Sequence, residues 1–199
     1  MRWKLWILLF AMSALASAAP ACSQVTPSYQ GHLKQVSLGI GLSGYNPGWG
    51  QGAMFGGAAW ADWQPQFLPR GLRGLGIEME VRDLSLDRHL PSEANVRQDT
   101  FSGGPMYLWS HFTSFHPYGK FLIGHGSFDF TSISPFYSHD TRTFLAPGGG
   151  FECRIHPGLW ARADYEYQSV QTLIGDVHHP QGFTAGLAYN FGDYHPAKR

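Results

Sequence analysis

Alternation of apolar and polar positions dominates this chain and recurs about eight times. Val36, Leu38, Ile40 and Leu42 alternate with Ser37, Gly39, Gly41 and Ser43. Ala53, Phe55, Gly57, Ala59, Ala61 and Trp63 alternate, more weakly, with Met54, Gly56, Ala58, Trp60 and Asp62. The third run is the cleanest, with Leu75, Ile77, Met79 and Val81 on one face and Glu78, Glu80 and Arg82 on the other. A fourth covers roughly residues 97–111, with Met106, Leu108, Tyr107 and Trp109, and a fifth runs from Tyr118 to about Phe130 through Phe121 and Ile123. In the sixth, about 142–155, Phe151, Cys153 and Ile155 oppose Glu152 and Arg154. In the seventh, Ala161, Ala163, Tyr165 and Tyr167 oppose Arg162, Asp164, Glu166 and Gln168. The last, Gln181 to Phe191, sets Phe183, Ala185, Leu187, Tyr189 and Phe191 against Thr184, Gly186, Ala188 and Asn190. A period of two places successive side chains on opposite faces of a strand, and no helical stripe of useful length competes. The chain is all-β.

The partner faces decide between two all-β architectures. Glu78, Glu80, Arg82, Lys120, Glu152, Arg154, Arg162, Asp164 and Glu166 all lie opposite apolar neighbours. In a soluble sandwich they form a solvated outer face. In an eight-stranded membrane barrel they fill a lumen just wide enough for side chains, where charges must pair and hydrogen-bond. Acids and bases nearly balance in this set, and Gly148, Gly150 and Gly186 leave room for long side chains. Trp63, Trp109, Trp160, Tyr165, Tyr167, Tyr189 and Phe191 lie near strand ends or on the apolar face, as interfacial girdles require. The pattern predicts a single eight-stranded up-and-down antiparallel transmembrane β-barrel with short periplasmic turns and longer extracellular loops. The turns are expected at residues 65–74, 114–117 and 156–158, and the loops at 45–51, 88–96, 132–141 and 173–180.

The N-terminus adds an address. Arg2 and Lys4 precede the apolar run Leu5 to Met12, and Ala16-Ser17-Ala18 or Ala19-Pro20-Ala21 offers a cleavage site. The expected organisation is a signal peptide over 1–21, a periplasmic leader over 22–33, the barrel over 34–192 and a periplasmic tail over 193–199. Cys22 follows the cleavage region, but Ala19 stands where a lipoprotein signal usually carries a bulkier aliphatic residue. Pairing of Cys22 with Cys153, the only other cysteine, is open. Lys+Arg and Asp+Glu are equal at 14 each, so no basic field argues for a nucleic-acid partner. Twenty-five glycines and 15% aromatics, without a long apolar run, favour strands over membrane helices.

The C-terminal third resembles the OmpA/OmpX-like outer-membrane β-barrel family. The resemblance rests on Gly148 to Arg154, on Ala161 to Tyr167 and on Gly186 to Phe191. It implies a glycine-rich strand, a charged-inside strand, and a final strand whose Tyr189 and Phe191 are read by the barrel-assembly machinery. Eight residues follow Phe191, whereas in the family the aromatic is commonly last. Outer-membrane lipid and the assembly machinery are the expected partners, and the protein is expected to be a monomer.

Candidate chemistry is sparse. His125, Ser127 and Asp129 share one strand face, and some eight-stranded outer-membrane barrels modify lipid A with Ser and His. His139, Asp140, His178 and His179 fall in expected loops, but a metal site needs convergent ligands with supporting contacts, so no metal or cofactor is expected. Gly148-Gly149-Gly150 lacks the following Lys-Ser/Thr of a phosphate loop. The expected role is therefore non-enzymatic: a structural or surface protein of the outer membrane, or one passing small solutes to a limited extent. The alternatives are a soluble, exported, lipocalin-like barrel with its apolar faces turned inward, and a lipid A hydrolase using Ser127 and His125.

Overall fold

The computed structural model describes residues 36–48, 52–65, 67–69, 72–86, 95–109, 114–131, 139–171 and 177–191. Its strands are β1 (Val36–Asn46), β2 (Met54–Trp63), β3 (Leu75–Leu86), β4 (Asn95–Leu108), β5 (Phe115–Thr131), β6 (His139–His156), β7 (Leu159–Tyr167), β8 (Ser169–Gln171), β9 (Val177–His178) and β10 (Gln181–Phe191). β6 pairs with β7 as far as Gly148 and Glu166, then with β8 at Leu145 and Ser169, so β8 prolongs β7 beyond Gln168. β9 pairs with β8 and leads into β10 in the same way. The wall thus has eight staves. The β1–β10 and β5–β6 ladders join its ends into a closed antiparallel barrel.

The strands run further than alternation alone marks. β5 begins at Phe115 rather than near Tyr118, because Phe115, His116 and Pro117 pair with Cys153, Glu152 and Phe151. His116 and Pro117 therefore belong to the wall and not to a turn. β6 likewise reaches back to His139, which faces Asp129 across the ladder. Partners supplied by a neighbouring strand override the weak local signal of glycine and proline.

The register fixes the shape of the cylinder. Stepping from Tyr45 through Gly182, Glu166, Gly148, Lys120 and Met106 reaches Gly76, whose neighbour Ile77 faces Trp63 and then Val36. One circuit thus moves ten residues along β1, from Asn46 to Val36. With eight staves this stagger tilts the strands by about 40° and sets the wall about 8 Å from the axis. The lumen holds side chains and little else.

The same stagger sets which residues share a height. Each step from one stave to the next climbs roughly 3 Å, so residues level with one another are not register partners. On the outside, Asn46, Asp83, Asp99, His125, Thr143 and Gln181 then form one polar ring at the end away from Val36 and Phe191. Trp63, Trp109, Phe115, Tyr189 and Phe191 ring the other end, all with exposed side chains. Between them lies an unbroken apolar band with Leu38, Ile40, Ile77, Met79, Phe121 and Leu187. Its height of about 20–25 Å matches the lipid-facing band of a membrane barrel. β4, β5 and β6, with 14, 17 and 18 residues, continue past the polar ring, whereas β1 and β2 stop near it.

Candidate functional site: the charged lumen

Every charged residue expected inside the barrel is buried there: Glu78, Glu80, Arg82, Lys120, Glu152, Arg154, Arg162, Asp164 and Glu166. Their opposite neighbours Ile77, Met79, Val81, Phe121, Ile155 and Tyr165 are exposed on the outside. A lipocalin-like barrel needs the reverse, with apolar side chains around an internal ligand, so that alternative is excluded.

Three cations organise the centre. Lys120 Nζ lies 2.9 Å from Glu78 Oε1, 2.9 Å from Glu80 Oε2, 3.3 Å from Glu166 and 3.4 Å from Asp164. Arg162 donates from Nη2 to both oxygens of Glu78 at 2.8 Å, from Nε to Asp164 at 3.1 Å, and from Nη1 to Asp62 at 3.3 Å. Arg82 donates to Glu166 at 3.1 Å and pairs with Glu80. Neutral groups complete the web: Tyr118 Oη donates to Asp164 at 2.8 Å, and Gln168 to Glu166 at 2.9 Å. Aromatic faces hold the guanidinium groups as well. Arg82 sits 4.4 Å above the Tyr45 ring, and Arg162 lies 4.7 Å from Trp60 and 4.6 Å from Tyr118. Charge-assisted bonds in such a dry, low-dielectric space are strong but require every partner.

Apolar groups close the network off on both sides. Toward the polar ring lie Tyr45, Met54, Leu84 and Val96, beside a second cluster of Leu122, Phe144, Ala146 and Val170. Toward the terminal end lie Met106, Leu108 and Tyr118, and His116 stacks on Trp160 at 4.7 Å. Glu152 and Arg154 are buried at this end, facing Arg162 and Trp160 in register.

One expectation about a single residue changes. Trp160 is not part of a lipid-facing girdle: its place in the alternation with Arg162 turns it inward, where it is fully buried. Asp62, a polar oddity beside Trp63 in the sequence, is a buried partner of Arg162. Trp63, Trp109, Tyr165, Tyr189 and Phe191 do face outward. Tyr167, outward and half-buried, stacks on His179 at 5.2 Å.

The weaker candidates lie on the wall. His125, Ser127 and Asp129 form an outward row along β5, with Cα atoms about 7 Å apart from one to the next. His125 Nδ1 meets Thr143 Oγ1 at 3.2 Å. His139 and Asp140 begin β6, and His178 belongs to β9. Cys153 is half-buried on the outer face, and Cys22, the expected signal peptide, the leader and the tail beyond Phe191 lie outside the described residues. One cluster escaped the sequence reading. Arg97 donates to Asp83 at 3.1 and 2.8 Å and lies 3.3 Å from Asp99, with Arg97 and Asp83 exposed and Asp99 half-buried at the polar ring. Asp83 and Asp99 are direct cross-strand partners, a relation visible only once β3 and β4 are in register.

Known proteins match this architecture. The chain superposes on Ail, the attachment invasion locus protein of Yersinia pestis, with a TM-score of 0.54 and 19% identity, covering 78% of this chain and 96% of that one. Neisserial surface protein A gives a TM-score of 0.58 at 13% identity, again over 78% and 96%. At such identities the likeness is one of fold. No curated protein matches the sequence. The family model described as "Outer membrane protein beta-barrel domain" matches residues 7–191, nearly the whole chain. With its apolar wall, polar ring and ion-paired lumen, this chain belongs to the outer-membrane β-barrel domain family and resides in the bacterial outer membrane.

Proposed function

We propose that the protein is a monomeric, non-enzymatic barrel whose interior is closed and whose working part is the surface it presents beyond the outer leaflet. The observation carrying this reading is the order of side chains along the axis. An ion-paired layer centred on Lys120 lies between the apolar clusters around Leu84 and Phe144 and the stack of His116 on Trp160. A wall about 8 Å from its axis, filled in this way, leaves no aqueous path for solutes. The outward row His125, Ser127 and Asp129 lies on an open wall rather than in a cleft, which supports a role without catalysis. Val36 and Phe191, where β1 begins and β10 ends, pair at one rim, which agrees with a periplasmic location for that rim. The projecting β4–β6 wall then stands on the cell surface.

In this reading outer-membrane lipid covers the apolar band, and the assembly machinery reads Tyr189 and Phe191 on the last strand. The test is solute flux: proteoliposomes holding the purified protein should swell in arabinose no faster than empty ones. Swelling that grows with protein content would overturn the closed-lumen reading and favour limited solute passage.

A further inference from the structure

The outer wall of the barrel is not uniform. Over β2 the outward residues shrink to Gly57, Ala59 and Ala61, while β1 beside them carries Ile40 and Leu42 and β3 carries Met79 and Val81. A groove of about 610 Å³ follows, lined by Gly57, Ala59, Val81, Asp83, Ser85 and Asp99. Its lower part belongs to the apolar band, and its upper part meets the polar ring. From there a hydrogen-bonding face continues across the projecting staves. Ser127 pairs in register with both Asp99 and Thr141, Asp129 with Arg97, and His125 with Thr143.

We infer that this strip of wall docks one glycolipid of the outer leaflet, of the lipid A class, with an acyl chain in the groove and its sugar on the face above. Three features choose that occupant. The groove opens sideways into the membrane, so lipid is what meets it. Its apolar half lies below and its polar half above the membrane boundary, the order of acyl chain and headgroup in an amphiphile. The upper face presents carboxylates, hydroxyls and an imidazole around Arg97, a set rich in acceptors for the hydroxyls and amides of a sugar headgroup. A phospholipid headgroup is too small to span from Asp83 to Thr141, four staves of which Asp83, Asp99, Ser127 and Thr141 are the register partners. The polar face thus goes beyond a closed barrel with an exposed surface: it assigns one strip of that surface a ligand.

The experiment is lipid retention on the full-length mature protein, folded in detergent and read by native mass spectrometry, with lipopolysaccharide and phosphatidylethanolamine as probes. Wild type should retain lipopolysaccharide about tenfold better than phosphatidylethanolamine. Gly57→Leu with Ala59→Leu fills the groove, and the first is sterically free because a Cβ on Gly57 meets nothing nearer than 4.0 Å. This variant should lose about tenfold in lipopolysaccharide retention, while Ala185→Leu, outward on β10, should lose nothing. Ser127→Ala with Thr141→Ala should abolish the preference between the two lipids. Equal retention of both lipids by wild type, or unchanged retention in the groove-filled variant, overturns the inference. Should the double groove variant fail to fold by circular dichroism, Ala59→Val alone decides by the same criterion.

Discussion

Replacing Arg162 with Met tests the lumen most directly. The substitution keeps much of the side-chain volume and removes the guanidinium that serves Glu78 at 2.8 Å, Asp164 at 3.1 Å and Asp62 at 3.3 Å. Among the described residues of the central web, Arg82, Lys120 and Arg162 answer five carboxylates, so the web carries no excess of cations. Removing one side of a buried, hydrogen-bonded ion pair costs about 3–5 kcal/mol, because the partner stays charged and dry. That is about a fifth or more of the ~5–15 kcal/mol that usually separates folded from unfolded protein. The natural comparison is Arg97→Met. Arg97 also contacts two carboxylates at 2.8 and 3.3 Å, but its side chain is 56% exposed, and such pairs contribute about 0–1 kcal/mol. Urea unfolding in lipid vesicles, followed by tryptophan fluorescence, should separate the two variants by at least about 2 kcal/mol. Adding Glu78→Gln to Arg162→Met should recover part of the loss. If the two single variants unfold at the same urea concentration, burial does not govern the strength of these pairs and the account of the lumen is wrong.

The excess of carboxylates makes a second prediction: Glu80→Gln should cost clearly less than Lys120→Met in the same assay, since Lys120 has four carboxylate neighbours. Equal costs would mean that the network does not pivot on its cations. The membrane band can be mapped with arginine: Met79→Arg, mid-wall and outward, should cost about 2–4 kcal/mol, and Ser85→Arg, above the polar ring, about 0–1 kcal/mol. A reversed order would displace the bilayer from the band assigned to it. At the closing seam, a Cβ on Gly186 would lie 2.1 Å from the Ile40 carbonyl oxygen, so Gly186→Ala should cost about 1–3 kcal/mol or lower the folding yield, whereas Gly57→Ala should be neutral. Finally, Phe191→Ala should slow assembly into the outer membrane in cells, measured by pulse-chase, while spontaneous insertion into detergent is little changed; equal rates in cells would remove its role as an assembly signal.

The alternation along each strand determined by itself which side chains share a face, because a strand has only two faces and their chemistry differs sharply here; that the charged face turned inward was decided by the closed barrel. Glu78, Glu80 and Arg82 against Ile77, Met79 and Val81 leave no other arrangement in a membrane, and a stave count follows from the number of such runs. Even Trp160 was placed by that rule, since it shares a face with Arg162; proximity to a strand end was the misleading cue. What alternation does not carry is who meets whom. Arg162 is 100 residues from Asp62 and 84 from Glu78, and Lys120 is 42 from Glu78. Those encounters depend on closure of the ring and on its ten-residue stagger, which all eight ladders set together. The stagger also decides that Asp83 and Asp99 meet on the outside around Arg97, and that β4 to β6 rise past the polar ring. Strand faces are a property of each segment's own period, whereas height and partnership belong to the cylinder as a whole.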